Sequence, residues 1–340
     1  MIRFGPGGIP LSCKGRTLRD AVEDVHKLGL TALEVQLVRT NMVEQYAVDE
    51  VGQIPTEVEG ELIVEVLRKD NGSMKSVPFD KPIEGKDILR RLTSGLARDY
   101  FYLREVGEIA KDLDITLSIH TPYYIELAGD KSDPLTERTI NSIKWAGVLG
   151  KAMDGTHVVT HAGLYPKGGK KDAINYISKN LKEVLEWYKM QKVNLKLGVE
   201  TSGKQEVFGA VDEVLALTKK CSIVPIINFA HVHAREGGSL REKEDFQRLI
   251  DKVRSVARDE YLYTHFSGVE HEGGNEKRLT PIKKGSLRFE PLAECILDNE
   301  YEMTIISSSP LLEHDAMYMK VLLERAIAKR VTKDAKKNGK

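Results

Sequence analysis

Disulfide chemistry has almost nothing to work with in this 340-residue chain: cysteine occurs only at Cys13, Cys221 and Cys295, far apart and never as CxxC. That usage excludes a disulfide scaffold and points to a reducing compartment. Long apolar runs are missing too. None approaches the roughly 18 residues of a membrane span, and the N-terminal MIRFGPGGIP lacks the basic and apolar regions of a secretory signal. The expectation is a cytoplasmic protein, a monomer, with no membrane partner. Net charge is absent as well, since 51 Lys plus Arg balance 51 Asp plus Glu. No global field therefore draws the chain to a polyanion, and a nucleic-acid site has to be a local patch. What remains, 41% hydrophobic and 30% charged residues, suffices for one large α/β domain.

The pattern that is present is a repeat of short apolar runs, each ending in a polar side chain. ITLSIH ends at His120, HVVTH at His161, KLGVE at Glu200, VPIINFAH at Asn228 and His231, and YLYTH at His265, at intervals of roughly 30 to 40 residues, the length of one strand-plus-helix unit when eight such units take about 250 residues. Amphipathic stretches such as LTERTINSIKWAGVLGKAM and KDAINYISKNLKEVLEWYKMQ fill the intervals. With Ile2–Phe4 as the first strand, Leu33–Val38 as the second and Met303–Ser307 as the eighth, the chain reads as a single (β/α)8 TIM barrel over residues 1–330. The rhythm fails over residues 39–98, where several Gly and Pro flank the alternating ELIVEVLR; this is an inserted β-rich segment, a small hairpin or sheet, after strand 2. Residues 331–340, VTKDAKKNGK, read as a basic disordered tail.

Polar residues that end neighbouring barrel strands converge on one face, where such folds carry their chemistry. His120, His161 and Glu200 end the third, fourth and fifth strands; two imidazoles and a carboxylate form a three-ligand zinc set with room for water, and an ion so held activates that water for hydrolysis. His265 on the seventh strand and His231 just past the sixth face the same cavity, with His233 a further candidate. Gly237-Gly238 and Gly273-Gly274 mark flexible loops on that face.

The runs SIHTPYYIEL, VVTHAGLYP, GVETSG, INFAHVHAREGG, THFSGVE and ISSSPLLEHDA together resemble the successive strand-end motifs of the endonuclease IV family, within the xylose-isomerase-like barrels, in the archaeal-type form that carries AHxHAR. The resemblance implies a trinuclear zinc site that cleaves DNA on the 5′ side of abasic sites, with Mn2+ or Fe2+ as alternative metals and damaged double-stranded DNA as partner. It assigns the first metal to His120, His161 and Glu200, Glu200 being also the central catalytic carboxylate. The second metal falls to Glu200, His265 and the positions held here by Asn228 and Ser308, where the family has acids. The third uses His231 and a pair that falls near Lys277, Arg278 and Leu279, so that metal is lost or rebuilt with Glu276, His233 or His271. Tyr123 stands where the family inserts a tyrosine into DNA. Arg39 and Arg235 are candidate phosphate contacts.

Two other readings share these residues. A sugar isomerase or epimerase on the same barrel would use the Glu200, Asn228, His265 and Ser308 quartet, which is the damaged one here. A catalytically inactive barrel would recognise DNA or another partner without cutting it.

Overall fold

A computed structural model describes residues 1–93, 95–257 and 260–338. In chain order the elements begin with β1 (Ile2–Pro6), α1 (Leu18–Lys27) and β2 (Ala32–Gln36), followed by β3 (Met42–Tyr46), β4 (Ile63–Asp70), β5 (Ser73–Ser76) and β6 (Ile88–Leu92). Strands and helices then alternate: α2 (Tyr100–Asp112), β7 (Thr116–His120), α3 (Pro134–Ala152), β8 (His157–Thr160), α4 (Gly169–Met190), β9 (Lys196–Glu200), α5 (Val211–Lys220), β10 (Val224–Asn228), α6 (Phe229–Arg235), α7 (Lys243–Ala257) and β11 (Tyr261–Phe266). A hairpin of β12 (Gly268–Glu272) and β13 (Asn275–Thr280), then α8 (Glu290–Asn299), β14 (Glu302–Ser307) and α9 (Glu313–Asn338), complete the chain. Eight strands share one sheet in the order β1-β14-β11-β10-β9-β8-β7-β2, the strand complement and order of a (β/α)8 barrel. Among the described residues no helix is long and apolar enough to cross a membrane.

The chain divides into two compact units, one of Met1–Lys14, Asp24–Glu34 and Val199–Lys340, the other of Gly15–Glu23 and Val35–Gly198. In the first, β14 pairs in parallel with both β1 and β11. These strands are covered on both faces, which is why they read as unbroken apolar runs: Met303, Ile305 and Ile306 are fully buried. Gly5 in β1 passes so close to β2 that a Cβ would overlap the Ala32 carbonyl. In the second unit, β7 and β8 pair in parallel with His120 opposite Val159. Helix α2 starts at Asp99, whose carboxylate accepts from Tyr102 N at 2.9 Å and from Gly60 N at 3.0 Å, capping the helix and tying residue 60 to it. Helix α3 starts at Asp133 with Pro134 in its first turn and is buried nearly all round, because it packs against β7, β8 and also β4.

Residues 42–92 form a four-stranded antiparallel sheet in the order β3-β6-β4-β5. AHVHAR, just past the sixth barrel strand, lies in a short helix, α6, because Asn228 closes β10 and at once caps the next turn, its side chain accepting from Ala230 N and His231 N. Two local expectations are corrected. Gly273 and Gly274, with φ of 58° and 75°, form the turn of the β12-β13 hairpin rather than a loose loop. The stretch from Val331 to Asn338 continues α9 instead of being disordered, since nothing in it breaks a helix before Gly339; residues 339–340 lie outside the described residues.

Substituting Gly5→Ala should lower stability by about 1–3 kcal/mol, the range for forcing a methyl into a closed core. An unchanged urea midpoint would show that β1 and β2 can separate to admit it.

Candidate metal centre

Two imidazoles open the site. His120 is the last residue of β7 and His161 follows the last residue of β8, so the paired strands deliver their rings side by side, with centroids 5.1 Å apart. His120 Nδ1 lies 2.6 Å from the Thr121 carbonyl. A carbonyl only accepts, so Nδ1 carries the proton and Nε2 keeps its lone pair, the tautomer that a metal-binding histidine needs. The strand ends are braced below the rings: Thr121 N donates to the Val159 carbonyl at 2.9 Å and Thr121 Oγ1 bonds Thr160 Oγ1 at 2.9 Å.

Glu200, 3% exposed, ends β9 and receives the Asn228 amide Nδ2 at 2.8 Å. His231 Nε2 stands 3.4 Å and His265 Nδ1 3.5 Å from Glu200 Oε1. Each imidazole is backed by a second carboxyl. His265 Nε2 lies 2.8 Å from Glu34 Oε2, which also accepts from the Tyr263 hydroxyl at 2.9 Å, because residues 263 and 265 share one face of β11. His231 Nδ1 bonds Glu276 Oε2. Burial alone would push His231 down, but the flanking Glu200 and Glu276 outweigh it and lift the imidazole to about 10. Glu276 is held below the usual carboxylate range: burial opposes this, and the bond to His231 prevails. The hairpin turn brings Glu276 there, and Gly203 lets it pass, since a Cβ at that position would overlap the Glu276 side chain.

Among the described residues, one group of three or more His, Cys, Asp or Glu side chains can hold a metal ion: His120, His161 and Glu200, with one donor atom of each within 4.8 Å of the others. Two neutral nitrogens and one carboxylate oxygen suit Zn2+ and the softer divalent ions. The Asn228 and Ser308 position does not fit a second ion. Asn228 Oδ1 is taken by Ala230 N at 3.0 Å and His231 N at 3.3 Å, which turns its NH2 toward Glu200 and, at 3.4 Å, toward Ser308 Oγ. A donor group therefore stands where an ion needs an acceptor.

The remaining sequence candidates are scattered. His233 is 2% exposed and both its nitrogens are engaged, Nδ1 accepting from Leu240 N at 3.2 Å and Nε2 with Ser286 Oγ at 3.0 Å; burial first, then the nearby His271 and Arg241, push it down to about 4. Arg235 Nη1 donates to the carbonyls of Ser202, Lys204 and Val207 and so ties the loop after β9. Tyr123 is 77% exposed beside Tyr124, and Arg39 is exposed after β2. Sequence reasoning passed over Glu34 and Tyr263. An acid inside the apolar run LEVQLV was the available signal for Glu34, since a buried strand carries a charge only with a partner.

The chain is 31% identical over 270 residues, 78% of its length and 93% of the relative's, to an uncharacterised protein of Methanocaldococcus jannaschii. It is 24% identical over 245 residues, 69% of its length and 82% of the relative's, to the probable endonuclease 4 of Mycoplasma capricolum. Among solved structures, endonuclease IV from Thermus thermophilus matches with a TM-score of 0.58 at 17% identity, covering 94% of this chain and 99% of that one. An L-ribulose 3-epimerase matches with a TM-score of 0.59 at 12% identity, covering 98% of both. At such identities the two structures speak for the fold alone. Residues 76–315 match the family model of xylose isomerase-like TIM barrels, and to that family the chain belongs.

Proposed function

We propose that the chain is a metal-dependent phosphodiesterase of the endonuclease IV type, cleaving damaged double-stranded DNA on the 5′ side of abasic sites, with one well-held ion on His120, His161 and Glu200. The approach of those three donors within 4.8 Å carries the reading. A zinc, manganese or iron ion bound there would supply Lewis-acid activation of water and offset the charge of a phosphodiester. The chain's own residues do the rest. Thr121 fixes the tautomer of His120, and Asn228 holds Glu200 in place. In this reading His231 and His265 are braces of Glu200 rather than ligands, and Arg235 shapes the loop after β9 rather than touching phosphate. Tyr123, Tyr124 and Leu164, exposed at 77%, 38% and 53%, are the side chains suited to wedge against unstacked bases. Arg39 is free to meet a phosphate. An epimerase reading is weaker because the acids it needs at residues 228 and 308 are an amide that donates and a hydroxyl.

Nicking of a duplex with a single abasic site should be chelator-sensitive and lost in His161→Ala, together with the bound metal counted by mass spectrometry of the intact protein, while circular dichroism stays unchanged. Retained metal in that variant would remove His161 from the ligand set. The double variant Asn228→Asp, Ser308→Glu should raise the metal count from one toward two; no gain would mean that these residues do not border a second position. His233 tests its own role as a brace. Its folded pKa, about 4, lies below the unfolded value near 6.5, so the unfolded chain takes up the proton first and stability falls as pH drops from 6.5 toward 4. In His233→Gln the urea midpoint should lose that part of its pH dependence; an identical slope would assign it to other groups.

A further inference from the structure

A cavity of about 580 Å³ lies where three helices end, away from the strand ends that carry His120 and His161. Lys111 is in the last turn of α2, Lys151 in the last turn of α3, and Met190, Gln191 and Lys192 finish α4; residues 54–56 and 79–80 of the inserted segment close the other side. The closure is built. The Gln191 side chain, 3% exposed, accepts from Phe79 N at 2.8 Å and donates to the Val77 carbonyl at 3.0 Å. The buried Tyr100 hydroxyl donates to the Ile63 carbonyl at 2.9 Å, and Lys192 pairs with Asp80 at 2.8 Å. These bonds hold a preformed space, and its volume falls in the range of small-molecule sites.

Its lining is divided in chemistry. Phe79, Tyr100, Val148 and Met190 supply an apolar wall. Of the cations, Lys192 is paired with Asp80, and Arg104 donates to the Thr56 carbonyl and covers the Phe101 ring at 4.7 Å. Lys151 donates to the Gln191 carbonyl at 3.0 Å, and the carboxylate that acts on its charge is Asp80, already paired with Lys192; among the described residues neither Lys151 nor Lys111 forms a direct ion pair of its own. A lysine in the last turn offsets the negative end of a helix dipole in any protein; that does not account for an apolar wall between two such lysines. Burial and the neighbouring Lys192 push Lys151 below the usual lysine range despite the opposing pull of Asp80, and a further anion alongside would relieve that cost. Glu108 and Asp154 stand on the same rim, so a second negative group on a ligand would be repelled.

We propose that this cavity binds a small amphiphilic anion, an apolar body against Tyr100, Val148 and Met190 with a single carboxylate or phosphate held by Lys151 and Lys111. Because the inserted segment forms one wall, such a ligand would fasten that segment to α2, α3 and α4. It would stabilise the folded chain by mass action, independently of metal.

Titration calorimetry of the full chain with decanoate, decyl phosphate and uncharged decanol tests the assignment. Saturable one-to-one binding of decanoate or decyl phosphate is expected, at least tenfold weaker for decanol, at least tenfold weaker for either anion in Lys151→Glu, and weakened for both anions in Met190→Trp, which fills the apolar side. The tighter of the two anions identifies the head group. Equal binding of decanol, no saturable binding of either anion, or anion binding unchanged within twofold in Lys151→Glu would overturn it. Most of the Lys151 chain lies at the surface, with only its ammonium partly covered, and Met190 is half-buried, so both variants should fold, with the thermal midpoint as the check.

Discussion

A carboxylate kept out of water is the constraint around which the candidate centre is built. An ionised acid as deeply covered as Glu200 is destabilising by several kcal/mol unless donors replace its hydration. The chain supplies a hydrogen bond from the Asn228 amide, and the imidazoles of His231 and His265 stand within ion-pair distance, each ring backed by a further acid. A hydrogen bond to a charged group is worth about 1.5–3 kcal/mol, so the Asn228 amide offsets part of that penalty. The cluster nevertheless holds three carboxyls, Glu34, Glu200 and Glu276, against two imidazoles. It has more acid than base, and a cation nearby is the simplest complement.

The same hydrogen bonds that keep Glu200 in place limit what else can sit beside it. Asn228 cannot flip to offer its oxygen without abandoning the two backbone N–H groups of the first turn of α6, which would leave buried donors unsatisfied. Aspartate at that position would cap the turn equally well and leave an oxygen over. The replacement of one atom type therefore converts a possible ligand into a fixed donor while the helix start is preserved. His265 Nε2 is engaged by Glu34, which also accepts from the Tyr263 hydroxyl, so the ring is held from that side.

How much of this was legible in the sequence follows from which interactions are local. His120, His161 and Glu200 could be found because each closes a short apolar run, and the alternation of runs and amphipathic stretches fixed their order on the sheet. The β character of the insertion was legible in ELIVEVLR, whereas its strand order depends on long-range pairing such as Met42 with Leu92 that no local pattern records. The helix that carries His231 is not legible because α6 is only seven residues long, too short for periodicity to register; the Asn228 cap is its one readable sign. Arg235 illustrates the opposite failure. An arginine near the active face reads as a phosphate contact, yet the carbonyls of residues 202, 204 and 207 claim its guanidinium, and nothing in the local sequence announces them.

The choice between a polymer and a small sugar turns on the two loops that follow β7 and β8. Glu126 joins them: its carboxyl accepts from Ala128 N at 3.0 Å in its own loop and from Leu164 N at 3.2 Å in the other, and burial pushes it above the usual carboxylate range. Gly163, with φ of 98°, packs so closely that a Cβ would meet Glu126 Oε1 at 2.7 Å. The loops are therefore braced, and the exposure of Tyr123, Tyr124 and Leu164 is imposed by that brace rather than by slack chain. Holding apolar side chains in water next to His120 is unfavourable for the isolated protein. A site that encloses a small sugar gains nothing from it, because such sites bury their apolar lining around the ligand. A surface that presses side chains between the bases of a duplex gains contact area for each one it projects, which is the asymmetry that the proposed function draws on.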